Sequence, residues 1–285
     1  MINLNQIKTY AQLMRLNKPI PIFLLLWPTL WALWLANQGK PENKILLIFI
    51  AGVILMRSVG CIINDFADRH LDGYVRRTAN RPLATQQVSV TEALILAGFL
   101  MSAAFVLVLF CNALTIQLAF IGAGLAVIYP FLKRWTHLPQ LGLGLAFAWS
   151  VPMAFAASLG NVNASAWFLF ATVLIWPVIY DTQYAMVDRE DDRVVGIKSS
   201  AILFGRNDRL IIAILQCLFI FLLMLMGFIF HLSVIYDFSL VMAAALFLYQ
   251  QWLIKDRKGA HCLIAFLNNH WIGFIIFLGI ILGVR

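Results

Sequence analysis

The chain has 285 residues, of which 62% are hydrophobic and only 12% are charged, and its formal net charge is +8. Charged residues make up about a quarter of a typical soluble domain, so this composition excludes an ordinary soluble protein and indicates a polytopic membrane protein. A basic chain could bind nucleic acid, but in a membrane protein the placement of the bases among the loops explains such a charge. We therefore expect no nucleic-acid partner.

Nine segments are long and apolar enough to cross a bilayer, which predicts an all-α bundle of nine transmembrane helices forming one domain over residues 1–285. In chain order the segments cover residues 20–36, 45–63, 93–111, 115–132, 141–159, 166–180, 210–231, 238–254 and 263–284. The sixth segment is short, so we expect its helix to continue into the polar stretch that follows. Residues 1–18 mix charges with apolar residues, as a short interfacial helix does.

The basic residues are concentrated in alternate connections between these segments. Of the 21 Lys and Arg residues, 17 lie before the first segment or in the loops after the second, fourth, sixth and eighth segments. Because loops rich in Lys and Arg stay in the cytoplasm, this pattern places the N-terminus and both long loops inside and the C-terminus outside.

A first acidic cluster directly follows the second segment. If the helix continues past residue 63, Asn64, Asp68 and Asp72 fall at i, i+4 and i+8 and share one face, with Asp65 one step around the helix. Carboxylates held that close repel one another unless a cation lies between them. Magnesium suits such a site, since it binds one or two carboxylates and completes its shell with water and substrate phosphate.

A second acidic cluster continues the sixth segment. Asp181, Tyr184, Asp188 and Asp192 recur at intervals that place them on one helical face. Two membrane helices thus carry oxygen ligands to the same membrane face, interleaved with Arg and Lys. This composition predicts a site for metal ions and a polyanion such as diphosphate.

Several basic residues accompany these clusters. Arg57 lies seven residues before Asn64, about 10 Å deeper at 1.5 Å per residue, and an intramembrane Arg is costly unless it has a functional or salt-bridge role. Tyr129 and Lys133 are spaced by one helical turn at the inner end of the fourth segment, and Arg134 follows.

Some of these bases have a simpler explanation. Lys133 and Arg134, like Arg15 and Lys18 before the first segment, could anchor helix ends among lipid headgroups. Lys198 lies in a Gly- and Ser-containing stretch, residues 196–200, that could close over phosphate groups.

The motifs carried by these residues resemble those of the UbiA family of intramembrane aromatic prenyltransferases. The pattern Asn-Asp-x-x-Asp-x-x-x-Asp is present from Asn64 to Asp72, Asp-x-x-x-Asp at Asp188 and Asp192, and Tyr-x-x-x-Lys at Tyr129 and Lys133. The resemblance covers the whole chain. The runs 76–82, 181–192 and 196–205 are most similar to members that prenylate 4-hydroxybenzoate in bacterial ubiquinone synthesis, which implies the bacterial inner membrane.

The resemblance implies a role for each candidate residue. Two Mg²⁺ ions would be held by Asn64, Asp68, Asp72, Asp188 and Asp192, and the diphosphate of a polyprenyl donor by Arg15, Lys18, Arg57, Arg69, Tyr129, Lys133 and Lys198. Asp181 or Asp65 would orient or deprotonate the phenol, and Arg134 or Arg69 would pair with the acceptor carboxylate. Tyr184 would also contact the acceptor. The isoprenoid tail would lie in a lipid-side groove between helices.

Three alternatives remain open at this stage. The acceptor could be homogentisate, a naphthoate, haem or a chlorophyllide precursor, because spacing alone does not distinguish among them. An ion-coupled transporter would also carry intramembrane carboxylates, but it would need polar groups near mid-membrane in several helices, and here only Arg57 is deep. A purely structural scaffold would leave eight clustered carboxylates without a partner.

Overall fold

The computed structural model describes residues 4–284, with side chains from Gln6 onward, and its regular structure is helical. Among the described residues, eight helices or helix pairs are long and apolar enough to cross a membrane, and the 17-residue apolar helix Ile20–Ala36 is the ninth predicted segment, which confirms the predicted polytopic bundle. Residues 4–284 contain twelve α-helices, in the order α1 (Leu4–Leu13), α2 (Ile20–Ala36), α3 (Asn43–Asp68), α4 (Val90–Val108), α5 (Ala113–Ile128), α6 (Pro139–Ala148), α7 (Ser150–Leu159), α8 (Ala164–Val195), α9 (Ser200–Phe204), α10 (Asp208–Ile229), α11 (Val234–Leu253) and α12 (Gly259–Gly283).

The sixth predicted segment is the longest helix of the protein. The α8 helix is capped at its start by Asn163, whose side chain accepts a hydrogen bond from the Ala166 amide, and at its end by Gly196, in a left-handed conformation with φ of 80°. Such caps satisfy backbone groups that a helix end leaves free. The predicted continuation is confirmed, and the whole second acidic cluster lies on this one helix.

The first acidic cluster is arranged differently from the prediction. The α3 helix ends at Asp68, and Asp72 begins a separate 3-10 turn, Asp72–Tyr74, so the expectation of one continuous helical face through Asp72 was wrong. The Leu71 amide already donates to the Asp68 carbonyl, which tightens the chain into a turn. The loop that follows returns over the helix end, and the Thr78 hydroxyl donates to the Asp72 carbonyl.

Close packing at the centre of the bundle brings α2, α8 and α12 together. The Trp31 indole of α2 stacks on Trp176 of α8 with ring centroids 5.3 Å apart, and its N–H donates to the Gly273 carbonyl of α12 over 3.1 Å. A Cβ atom at Gly273 would lie 2.6 Å from Trp176, so glycine is needed there. Small residues allow such close approach between membrane helices.

The two ends of the bundle differ in character. At the far end, the Ser233 amide donates to the Gly283 carbonyl, and Gly39 packs against Val284. At the opposite end, which we call the site end, lie the end of α3, the 3-10 segment Tyr129–Arg134 and the last turns of α8. Both acidic clusters are at the site end.

Candidate active site

Two carboxylates of the first acidic motif are held by two arginines from different segments. Arg15, after α1, contacts both oxygens of Asp65 at 2.7 and 2.8 Å. Arg81, in the loop after α3, bridges Asp65 at 3.1 Å and Asp72 at 2.9 Å. Burial raises the pKa of Asp72, and Arg81 opposes that rise. A buried carboxylate cluster therefore survives here because guanidinium groups neutralise it.

The third carboxylate of this motif faces a lysine from another helix. Lys133, in the 3-10 segment after α5, forms an ion pair with one oxygen of Asp68. The other oxygen, Asp68 Oδ1, is buried and has no hydrogen-bond partner. A buried carboxylate oxygen without a partner is costly, and it is a free ligand for a cation.

The second motif is also held by a base from the loop after α3. Arg77 contacts both oxygens of Asp188 at 3.0 Å through its Nε, and its guanidinium lies 4.4 Å from the centre of the Tyr184 ring. The next residue back in the chain, Arg76, donates its backbone amide to Asp191 over 3.2 Å. The loop between α3 and α4 thus joins the two acidic motifs.

Asp192 completes the junction between the motifs. Its side chain is buried, and it lies within electrostatic reach of Asp188, Asp68 and the Lys133 ammonium. The structure therefore brings carboxylates from α3 and α8 into one site, with the bases between them.

A second polar layer lies deeper in the bundle. The Arg57 guanidinium and the Tyr129 hydroxyl both lie 3.9 Å from the position that a Cβ at Gly60 would occupy. Asp181 lies within electrostatic reach of Arg57, and its carboxylate interacts with the Gln140 side chain. The Nε of Arg57 is buried without a hydrogen-bond partner. This layer offers a cation and a carboxylate to a polar group that enters from the site end.

An apolar cavity begins at this deeper layer. Its volume is about 510 Å³, and α3, α4, α5, α6 and α7 supply most of its lining. Arg57, Gly60 and Tyr129 line its site end, and the rest of its lining is almost entirely apolar. The polar site therefore opens directly into a space suited to a hydrocarbon chain.

Three other predicted site residues donate to backbone carbonyls. Arg69 donates to the Phe66 carbonyl over 2.8 Å and covers the Phe66 ring, and Lys198 donates to the Trp135 carbonyl over 3.2 Å. Arg134 is exposed and donates to the Ala67 carbonyl, and Lys18 is exposed. Asn64 is half-buried.

The sequence prediction omitted two site residues that the structure places at its centre. Arg77 and Arg81 were absent from the predicted diphosphate set, although they lie in the basic run that directly follows the first motif. That basic run is the feature of the sequence from which both residues could have been predicted. Arg69, which the predicted set does contain, lies just after the end of α3 and donates to the Phe66 carbonyl.

The donor atoms at the site fit Mg²⁺. Among the described residues, no three His, Cys, Asp or Glu side chains form a ready-made metal cage. Magnesium rarely uses such cages, since it prefers one or two carboxylates together with substrate phosphates and water. The unpartnered Asp68 Oδ1 and the nearby carboxylates of Asp188 and Asp192 supply hard oxygen ligands of that kind.

Comparisons with known proteins agree with this architecture. The model of the UbiA prenyltransferase family matches residues 25–278. The chain is 58% identical to a 4-hydroxybenzoate octaprenyltransferase of Coxiella burnetii over 100% of both chains, and 55% identical to one of Hahella chejuensis over 97% of this chain and 92% of that one.

Two solved structures share the fold. A UbiA homolog from Aeropyrum pernix has a TM-score of 0.80 at 24% identity and covers 90% of this chain and 96% of its own. A UbiA homolog from Archaeoglobus fulgidus, determined with GPP and Mg²⁺ bound, has a TM-score of 0.69 at 15% identity and covers 94% of this chain and 99% of its own.

Proposed function

This chain belongs to the UbiA prenyltransferase family, and we propose that it transfers a polyprenyl group from polyprenyl diphosphate to 4-hydroxybenzoate, releasing diphosphate. The observation that carries this proposal is the junction of Asp68, Asp188 and Asp192 with their bases, at the same end of the bundle as the polar end of an apolar cavity. The names of the full-length relatives support 4-hydroxybenzoate as acceptor over homogentisate, a naphthoate or haem.

The diphosphate of the donor matches the bases at the site end. Arg15, Arg77, Arg81 and Lys133 all reach the acidic motifs from separate segments. Guanidinium groups bind phosphate oxygens in pairs, and cations stabilise the charge that develops on a departing diphosphate. These four bases therefore hold the donor by its phosphates and lower the barrier to breaking its carbon–oxygen bond.

Magnesium is the divalent cation that we assign to this site. Asn64, Asp68, Asp72, Asp188 and Asp192 would hold it, and the solved relative with GPP and Mg²⁺ bound supports the choice. When bound, the metal neutralises the phosphate oxygens and so makes diphosphate a better leaving group.

The acceptor meets the donor carbon in the deeper layer. The ring carbon next to the phenol oxygen forms a bond to the first carbon of the prenyl group as the bond from that carbon to diphosphate oxygen breaks. The ring then loses the proton from the attacked carbon and regains aromaticity. Asp181 is the better base for the phenol or ring proton, because Asp65 is engaged by both Arg15 and Arg81.

The acceptor carboxylate also needs a cation. Arg134 was the first candidate from the sequence, but it is exposed and donates to the end of α3. Arg57 lies within electrostatic reach of Asp181 and has a buried, unpartnered Nε. The geometry therefore favours Arg57 for the acceptor carboxylate, and a charged pair of this kind suits a low-dielectric site.

We place the site end in the cytoplasm and the protein in the bacterial inner membrane. Most of the basic residues lie in loops at the site end, which the positive-inside rule assigns to the cytoplasm. This topology puts the C-terminus in the periplasm, and the bacterial relatives support the choice of membrane.

One reconstitution tests the proposal. Purified protein in lipid nanodiscs receives octaprenyl diphosphate, 4-hydroxybenzoate and Mg²⁺, and the products are identified by mass spectrometry. We expect prenylated 4-hydroxybenzoate and free diphosphate, with homogentisate giving far less product. No product from any aromatic acceptor would overturn the proposal. Consumption of the donor without an ion gradient would exclude an ion-coupled transporter.

A further inference from the structure

The carboxylate of Asp181 is held differently from those of the two acidic motifs. The ion pairs found among the described residues include four carboxylates of the motifs but not Asp181. Its carboxylate interacts instead with the side-chain amide of Gln140, on α6. A cation paired with a base weakens it by stabilising its charged form, whereas a neutral amide orients a carboxylate and leaves its charge in place.

A hydrogen bond on its other side fixes the orientation of the Gln140 amide. The Oε1 atom of Gln140 accepts from the backbone amide of Ser200 over 3.2 Å, and the Gln140 side chain is buried. Because a backbone N–H only donates, the oxygen of Gln140 faces Ser200 and its NH2 group is left to donate to Asp181. Asp181 is only partly buried, so its carboxylate can meet a ligand while Gln140 stays covered.

Close packing between α6 and α8 brings Gln140 to this place. Gly144 follows Gln140 by one helical turn and shares its face. A Cβ atom at Gly144 would lie 2.5 Å from the Leu174 carbonyl oxygen of α8, so a side chain there would push the two backbones apart. Leu174 lies two turns before Asp181, on the same face of α8. The contact at Gly144 therefore sets the distance across which Gln140 meets Asp181.

The connection between α8 and α9, which contains Ser200, also contacts a base of the donor site. The Lys198 amide donates to the Lys133 carbonyl over 3.2 Å. The hydroxyls of Ser200 and Thr182 lie 2.7 Å apart, which joins the start of α9 to α8. A change that merely loosened this connection would therefore disturb Lys133 and raise the KM for the donor. The donor KM thus distinguishes a loosened connection from a lost contact at the base.

We propose that Gln140 is a positioning residue for prenyl transfer: its amide holds one oxygen of Asp181, so that the other oxygen faces the acceptor and takes its proton. This inference rests on the proposed function, because it takes Asp181 as the base for the acceptor. Gln140 acts through Asp181 and contacts neither the donor nor the metal.

Replacing the amide by an apolar side chain of similar length tests this role. For Gln140→Met in lipid nanodiscs, we expect kcat with 4-hydroxybenzoate to fall at least about tenfold. The KM for octaprenyl diphosphate and the Mg²⁺ concentration for half-maximal activity should stay within about threefold, because the groups that hold the donor keep their places. A kcat near that of the wild type, or a donor KM that rises as much as kcat falls, would overturn the inference.

Thr182→Val is the matched control for this variant. It removes a buried hydroxyl beside Asp181 and the side-chain link from α8 to Ser200, but it leaves the Gln140 amide untouched. We expect its kcat to stay within about twofold of the wild type. A loss of kcat equal to that of Gln140→Met would mean that the connection matters and not the contact with Asp181.

An isosteric variant gives a second measurement, because it keeps an acceptor for the Ser200 amide. In Gln140→Glu the group that faces Asp181 becomes a carboxylate oxygen, and two carboxylates this close repel unless they share a proton. We expect kcat of Gln140→Glu, divided by kcat of the wild type, to fall at least about tenfold from about pH 6 to about pH 9. A ratio that does not change with pH would overturn the contact.

The other ionisable groups near Asp181 do not confuse this ratio, since the two proteins have them in common. They are Arg57, Arg77, Lys133, Tyr129 and Tyr180.

These experiments separate the two proposals. Wild-type protein that prenylates 4-hydroxybenzoate while both Gln140 variants behave like it contradicts only the role of Gln140. Wild-type protein that prenylates no aromatic acceptor contradicts the proposed function itself.

Discussion

The two acidic motifs reach one site by different means. The first motif straddles the end of α3 and the loop beyond it, and each of its carboxylates faces a base: Asp65 and Asp72 share Arg81, and Asp68 faces Lys133. The second motif lies on one uninterrupted helix, where Asp188 is paired with Arg77 and Asp192 forms none of the ion pairs found among the described residues.

This difference teaches which interactions position each motif. The first motif depends on loop residues that fold back over the helix end, so its geometry should be sensitive to single bases. The second motif depends on the rotation of α8, which backbone hydrogen bonds and close packing fix. Changes to the bases should therefore disturb the first motif more than the second.

The largest loss of activity should come from replacing the carboxylates themselves. Asp68→Asn and Asp188→Asn each remove a charge from the junction of the two motifs, and we expect kcat/KM to fall by about 100-fold or more. Glu190→Gln is the control, since Glu190 is exposed on the same helix as Asp188. Near-normal prenyl transfer by either Asn variant would argue strongly against a ligand role.

Removing the metal and adding it back tests whether both motifs supply ligands to it. Chelation by EDTA should abolish prenyl transfer, and added Mg²⁺ should restore it. We expect the Mg²⁺ concentration for half-maximal activity to rise in both Asn variants, because each offers the metal a neutral amide oxygen in place of a charged carboxylate oxygen. If only one variant shifts, then the metal depends on that motif alone.

Replacing Arg81 or Arg77 should give the next largest loss of activity, and the size of the loss should differ between the two arginines. Arg81→Gln leaves Asp72 without its partner, and Arg77→Gln does the same to Asp188. Arg81 serves two carboxylates and its side chain is 13% exposed, against 29% for Arg77. We expect donor kcat/KM to fall about 10- to 100-fold for Arg81→Gln and less for Arg77→Gln.

Arg76→Gln is the control for both variants, since Arg76 contacts the second motif through its backbone amide. Equal losses for the Arg81 and Arg77 variants would contradict the distinction between the motifs.

The smallest effect should come from replacing Arg57, and it should appear in the KM for the acceptor. Arg57→Gln should raise the KM for 4-hydroxybenzoate about tenfold with a much smaller change in donor KM, because a paired charge is lost in a buried layer. Arg134→Gln should change the acceptor KM little. If Arg134→Gln raised the acceptor KM more than Arg57→Gln did, then Arg134 would be the residue that binds the acceptor carboxylate.

Much of this protein could be predicted from its sequence. Length and apolarity identify the apolar helices of the membrane bundle, because a helix of about 20 residues must satisfy its backbone internally to cross a bilayer. Spacing also identified the carboxylates of α8, since side chains on an unbroken helix follow its period.

Other features were decided only by the tertiary structure. The end of α3 at Asp68 and the return of Arg77 and Arg81 over it depend on a loop whose path no periodic pattern describes. The pairing of Asp68 with Lys133 joins segments that are far apart in the chain. Helical period fixes which residues share a face, but only packing between helices determines what that face meets.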